Sequence, residues 1–274
     1  MRYLGVSRAE LFSPNRTAGD AAVFRAVALE LERMGNDVTC ITEQELVQNG
    51  IPAGIDGIFQ MARSSSALAV LERATVPVTN TVQAVRNCHR AAQTEILQGS
   101  GLMPESVICP TTGVPDGWNR YPCWIKRGDS HAVEQDDVQY VTSESDCDAA
   151  IRVLAGRGVR TCVLQDHVPG WIVKFYGVRG YGLTDCYAAS EMDGKFGLER
   201  YNDTPGDSSV DMDALKAVAD RASELLGVDV YGGDAVVGPD GGIVLIDFND
   251  WPSFRTCTVG AAQKIADLIV SKNR

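Results

Sequence analysis

The chain lacks most of the short signatures that assign a function at once. No apolar run approaches the roughly 18 residues that a membrane helix needs, and the opening MRYLGVSRAEL reads as a strand, not as a basic segment followed by an apolar one. The expectation is a cytoplasmic protein with no membrane association. No CxxC pair occurs. The eight cysteines stand singly at 40, 88, 109, 123, 147, 162, 186 and 257, which argues against a zinc or disulfide framework and predicts reduced, mostly buried thiols. Basic blocks are missing as well. With a net charge of −11 there is no footprint for an extended nucleic-acid surface, which needs clustered Lys and Arg. Neither G-x-G-x-x-G nor G-x-x-x-x-G-K-[ST] is present, so neither a dinucleotide fingerprint nor a P-loop can be claimed. Internal repeats and low-complexity tracts are absent.

What remains is an ordinary globular composition, 45% hydrophobic and 22% charged over 274 residues, enough for one large core or two modest ones. Arg2 to Ser7, Asp37 to Thr42, Gly57 to Ala62 and Val76 to Asn80 read as short buried strands. Between the first two, Thr17-Ala18-Gly19-Asp20 has the form of a capping box, and Phe24, Val27, Leu31 and Met34 make a helical apolar stripe ended by Gly35. This βαβ pattern predicts a parallel sheet. Ligands of such sheets lie beyond the strand C-termini, which singles out Ser7, Arg8, Asn15 and Arg16 after the first strand and Arg63, Ser64, Ser65 and Ser66 after the third. An Arg followed by hydroxyls suits a carboxylate or phosphate, although ordinary loop polarity accounts for the same residues. Further helices are expected over Asn87 to Leu97, Ser145 to Ala155, Asp211 to Leu226 and Ala261 to Val270.

Three later stretches carry chemistry. YPCWIK, Tyr121 to Lys126, is a strand that delivers a lysine towards the polar loop Arg127-Gly128-Asp129-Ser130-His131. There it serves as a point charge for phosphate, with Gly128 admitting the backbone, or stands as an exposed strand-end lysine. VLQDHVPGWIVK, Val163 to Lys174, is an apolar strand, a polar pair and a Pro-Gly break. Its backbone suits an adenine edge, with Lys174 aimed at phosphates. Last, Val228 to Phe254 reads as a hairpin around Gly238-Pro239-Asp240-Gly241-Gly242. Asp247 and Asn249 share a face. If the loop is Pro239 to Gly242, Asp234 pairs with Asp247, and a one-residue slip separates the carboxylates. Facing each other, they repel by roughly 3 kcal/mol unless a cation lies between them. Two Asp and an Asn are hard ligands suited to Mg²⁺, while a solvated hairpin with polar ends fits the same pattern.

In order along the chain, a helix with Arg90, the strand-end Lys126, the hinge QDHVPG followed by Lys174, and Asp234 with Asp247-Phe248-Asn249-Asp250-Trp251-Pro252 resemble the ATP-grasp superfamily, in particular glutathione synthetase and the ligases that add glutamate to carboxylates. The resemblance covers roughly residues 85 to 270. It implies an α/β chain in which an N-terminal βαβ domain (1–84) precedes an ATP-grasp domain (85–274), with a lid at about 107–166 and a C-terminal subdomain at about 167–274. It further implies ATP and Mg²⁺ as cofactors, with Arg90, Lys126 and Lys174 on the nucleotide, Gln165, Asp166, His167 and Val168 along the adenine, and Asp234, Asp247 and Asn249 on the metal. The activity implied is that of a carboxylate-amine ligase acting through an acyl phosphate, with small-molecule carboxylate and amine as partners. In that scheme Lys126, Lys174 and Arg200 act on the reacting groups, and Arg63 and Ser64 hold the acid. Departures from the family pattern are Arg90 where many members have lysine, Asp166 in place of the hinge Glu, and a loop after Lys126 that is poor in Gly. Ser130-His131 and the Asp247-Phe248-Asn249 run with Pro252 also resemble the inositol-polyphosphate kinases, which leaves a kinase acting on a small polyol, or a nucleotide-binding protein without chemistry, as alternatives.

Overall fold

The computed structural model describes residues 1–14, 16–189, 197–204 and 209–273; Asn15 falls outside them. Three four-stranded sheets make up the described chain. The first is parallel, in the order β2-β1-β3-β4, with β1 Arg2–Ser7, β2 Asp37–Thr42, β3 Gly57–Gln60 and β4 Val78–Thr79. Since β1 pairs in parallel with β2 on one side and β3 on the other, the strand order reverses between β1 and β3. The crevice beyond their C-termini opens between Arg8 and Arg63. Helix α1, Thr17–Arg33, buries Val23, Phe24, Val27 and Leu31 against this sheet. The capping box expected at its start is not made. Asp20 instead accepts from Arg8 and from Ser13 Oγ, because a buried arginine outcompetes the free helix N–H groups for the carboxylate. A capping box does open α2, Glu43–Asn49, with Thr42 and Glu45 as its members.

Helices α3 Ser65–Leu71 and α4 Val82–Asn87 follow, then α5 Arg90–Leu97, so the helix expected over Asn87 to Leu97 begins only at Arg90, and Asn87 is the last residue of α4. The second sheet is antiparallel, in the order β5-β8-β6-β7: β5 Ser106–Pro110, β6 Cys123–Arg127, β7 Val138–Val141 and β8 Thr161–Asp166. One face, with Cys123, Ile125, Cys162 and Leu164, packs on α6, Glu144–Gly156. Alternation therefore sends Trp124, Lys126 and Gln165 to the other face.

The third sheet, antiparallel in the order β10-β9-β11-β12, comprises β9 Trp171–Val178, β10 Gly182–Ala188, β11 Val230–Val237 and β12 Ile243–Asp250. Its Val173, Phe175, Ala235, Leu245 and Phe248 pack on α7, Met212–Leu226, which is capped by Asp211 and stopped by Gly227. The last helix, α8 Thr258–Ser271, returns to α1, and their shared core also takes in Tyr176, Trp251 and Phe254. Trp251 and Phe254 hold positive φ angles of 41° and 46°, a conformation that side chains resist and that complete burial of both rings imposes here.

Candidate active site

The register of the β11–β12 hairpin is reached by a route the turn alone does not give. Val237 pairs with Ile243 and Ala235 with Leu245, so the loop starts at Gly238, one residue earlier than expected. Gly238 N donates to Gly242 O, Gly241 N donates to Gly238 O, and Gly241 supplies the required positive φ of 83°. Continued without interruption, that register would set Asp234 against Ile246. A bulge between Asp234 and Ala235 shifts it, and Asp234 pairs with Asp247. With Ile246 as the extra residue, Leu245 faces α7 while Asp247 and Asn249 face the opposite side. The bulge has a second consequence. The Ile246 carbonyl accepts from Lys126 Nζ at 2.6 Å.

Across the sheet, Tyr187, Lys174, Asp234 and Asp247 form one row by register. The row, together with Lys126 and Gln165 from the second sheet and Arg8 and Arg63 from the first, lines a cavity of about 290 Å³. Lys126 is buried and also donates to Gln165 Oε1 at 2.7 Å. It is the penultimate residue of β6 and not an exposed strand-end lysine. Burial and the neighbouring Arg90 lower its pKa to about 8, with Asp247 and Asp234 opposing. Asp247 moves to about 2: burial alone would raise it, but Arg90 and Lys126 outweigh that. Arg90 reaches Asp247 Oδ1 at 3.4 Å, while its Nε and Nη1 are buried without a partner. Arg90 lines the cavity, so these are donors available to an anion.

Lys174 does not stand free to meet a phosphate. Its Nζ donates to both oxygens of Asp234, at 2.9 and 3.0 Å, and lies 3.2 Å from Glu199. Burial would lower its pKa, yet these two carboxylates raise it. As a metal ligand, Asp234 must therefore be contested by this lysine. Asn249 Nδ2 donates to Asp247 Oδ2 at 2.8 Å, and His131 Nδ1 lies 2.9 Å from Asn249 Oδ1. Among the described residues no group of three or more His, Cys, Asp or Glu could hold a metal. The hard donors Asp234, Asp247 and Asn249 on one face nevertheless fit Mg²⁺ in chemistry, once the hydrogen bonds they now accept are given up.

Several other expected residues lie elsewhere or are otherwise engaged. Arg63 lines the cavity, but its Nη2 is committed to the carbonyl and carboxylate of Asp250, at 3.2 and 2.9 Å. Its Nε is buried without a partner, and burial and Arg8 lower its pKa to about 10. Ser64 caps α3, its Oγ accepting from Ala67 N, and is not among the cavity's lining. Ser130 Oγ donates to the His131 carbonyl and also lies off the lining. His131 does line the cavity; burial and Arg63 lower its pKa to about 3, which keeps the imidazole neutral. Asp166 pairs with Arg120 at 3.2 Å, His167 Nδ1 accepts from Trp124 Nε1, and the Val168 carbonyl accepts from Asn202 Nδ2. None of these three hinge side chains is part of the lining. Arg200 lies over the Tyr201 ring, 5.0 Å from its centroid, and is likewise off the lining. Gly128 is needed for packing: a Cβ there would meet the Thr161 carbonyl at 2.9 Å.

Sequence reasoning missed Asp250, Asp20 and Glu199. Asp250 has the parity of Phe248, which assigns it to the core face. At the strand end its carboxylate instead meets Arg63 and, at 3.2 Å, His131 Nε2. Glu199 stands in a short helical turn, Leu198–Tyr201, with no periodic pattern to mark it.

No protein-family model matches the chain, and no curated protein matches it in sequence. Solved structures match it in fold. The D-alanine–D-alanine ligase of Bacillus anthracis complexed with ATP superposes with a TM-score of 0.73 at 12% identity, covering 100% of this chain and 97% of that one. The D-alanine–D-alanine ligase of Coxiella burnetii gives 0.72 at 11%, covering 100% and 96%. A RimK domain ATP-grasp protein of Sphaerobacter thermophilus gives 0.70 at 18%, covering 98% and 100%.

Proposed function

We propose that this chain, which has the ATP-grasp fold with a small parallel-sheet unit before it, is an ATP-dependent ligase joining a small carboxylate to an amine through an acyl phosphate. The observation that carries the proposal is the convergence in one cavity of Arg90, Lys126 and Lys174 with Asp234, Asp247 and Asn249. Cations for the phosphates thus stand beside hard oxygen donors for a metal. Trp124, Val138, Ile172 and Leu198 give the same cavity apolar walls, suited to a purine ring near the hinge.

Asp234, Asp247 and Asn249 would hold Mg²⁺, which supplies charge neutralisation on the transferring phosphoryl group. Lys126 and Arg90 bring donors to the phosphates, and Gln165 and the Ile246 carbonyl fix the Lys126 ammonium in place. Arg63 lies at the first-sheet end with an N–H still to give, a position for orienting the acid. The residues act by positioning and electrostatics and form no bond to the substrate.

Arg8, Arg16 and Arg255 also line the cavity. That local basic lining favours keeping the kinase alternative, since a phosphorylated polyol would need one. A panel of acids, each with and without amines, in the presence of Mg·ATP separates the readings. The ligase releases ADP and inorganic phosphate only when an acid is present. Formation of AMP, or of a stable phosphorylated alcohol without inorganic phosphate, contradicts it.

A further inference from the structure

Lys174 and Asp234 face each other across β9 and β11, and the ammonium sits in the fork of the carboxylate, 2.9 and 3.0 Å from its two oxygens. These are the lone pairs through which Asp234 would ligate a divalent ion. The strands hold the two Cα atoms in register, so only the lysine side chain can yield. Its four-carbon stem is flexible enough to do so. A second acceptor waits within reach: Glu199 Oε1 is 3.2 Å from the same Nζ. Glu199 is itself nine-tenths buried, lines the cavity, and keeps Oε2 without a hydrogen-bond partner. Asp247, next in the row, is not engaged by the lysine; its contacts are Arg90 and Asn249.

We propose that Lys174 competes with the divalent cation for Asp234, and that Glu199 is the acceptor that retains the ammonium when the metal takes the carboxylate. The proposal rests on the reading of Asp234, Asp247 and Asn249 as metal ligands. An ammonium about 4 Å from a divalent ion, at an effective dielectric near 20, opposes it by several powers of ten in affinity if it does not move away. Metal alone therefore binds poorly. Nucleotide and metal enter together, because the phosphates give the displaced ammonium an anionic partner besides Glu199. Glu199 is in this sense a positioning residue, acting on the metal site through Lys174.

The test is a titration of nucleotide-free protein with Mn²⁺, free ion being read by its electron paramagnetic resonance. Lys174→Met should bind Mn²⁺ at least about tenfold more tightly than the unsubstituted protein, and adding Asp234→Asn to it should abolish the gain. Equal or weaker binding by a folded Lys174→Met, checked by circular dichroism, overturns the proposal. Should that variant fail to fold, Glu199→Gln decides: with the acceptor weakened, Mn²⁺ retention in the presence of ATP should fall by a few-fold, and unchanged or tighter retention overturns the proposal. The same titration with ATP isolates the underlying reading. If the unsubstituted protein retains Mn²⁺ with ATP and Lys174→Met gains nothing without it, only the competition is wrong. If no form retains Mn²⁺ under any condition, the metal site falls and the competition with it.

Discussion

Lys126 is the residue whose chemistry responds most directly to pH. Burial and Arg90 lower its pKa to about 8, so below that pH the ammonium is present before an anion arrives. Above it, nucleotide binding must also take up a proton, and affinity falls by up to about tenfold per pH unit. Calorimetry in buffers of different ionisation heat should detect that proton uptake above pH 8, and Lys126→Arg should remove it. An affinity independent of pH from 7 to 9 would contradict the burial argument. Asp250 makes the opposite point about buried charge. Arg63 and His131 hold its carboxyl well below the usual carboxylate range although burial opposes them. It ties the first sheet to the end of β12 and to the loop after β6. Asp250→Asn should cost about 3–5 kcal/mol in urea unfolding, the cost of leaving a buried arginine without its partner. The same change at exposed Asp240 should cost under about 0.5 kcal/mol. Neither Asp250 nor Glu199 was legible in the sequence. A period of two sends Asp250 to the wrong face, and Glu199 sits where there is no period at all. Lys126 was legible from its place at a strand end, Asp247 from its place in the hairpin, and Gln165 only through the hinge motif.

Among the elements, the β11–β12 hairpin best separates what a sequence can give from what packing decides. Asp234 does oppose Asp247, as a four-residue loop would have required, but the loop is longer and the bulge at Ile246 compensates. Turn residues set the first pairs of a hairpin, and packing of Leu245 and Phe248 on α7 sets the later ones. The sequence displays the former far more openly. This leads to a paired prediction. Deleting Ile246 regularises the ladder and leaves Asp247 opposite Asp234, so stabilisation by Mg·ATP should persist, reduced by loss of the Ile246 carbonyl that holds Lys126. Inserting one alanine after Ile246 turns Asp247 and Asn249 towards α7 and should abolish it. Thermal unfolding with and without Mg·ATP reads both, and loss in the deletion with retention in the insertion would reverse the assignment. The first-sheet candidates illustrate a different limit. Arg63 and Ser64 were found by their place after a parallel strand, a rule about position. Whether a residue there faces a ligand or a neighbour depends on tertiary partners, here Asp250 and the start of α3.

At the scale of the molecule, a net charge of −11 surrounds a cavity in which arginines and lysines outnumber carboxylates. Anionic ligands are thus drawn to one place on a chain that otherwise repels them. Mg·ATP at a hundredfold excess over its dissociation constant should raise unfolding stability by about 2.7 kcal/mol, and no shift at millimolar concentration would remove the nucleotide from the account. The parallel first sheet was legible from strand patterns, and the other two sheets only through the motifs they carry. Their meeting at one cavity was not, because Arg8, Asp20 and Asp250 are joined only by folding.

Whether a carboxylate attacks the γ-phosphorus and an amine then displaces phosphate from the acyl carbon is read by following one oxygen. With an acid that supports phosphate release, labelled with ¹⁸O in its carboxylate, the attacking oxygen stays with phosphorus when the amine attacks carbon. One ¹⁸O is expected in the inorganic phosphate, with ADP formed in equal amount. Inorganic phosphate free of label, or label retained with the phosphoryl group on a stable phosphorylated product, would contradict it.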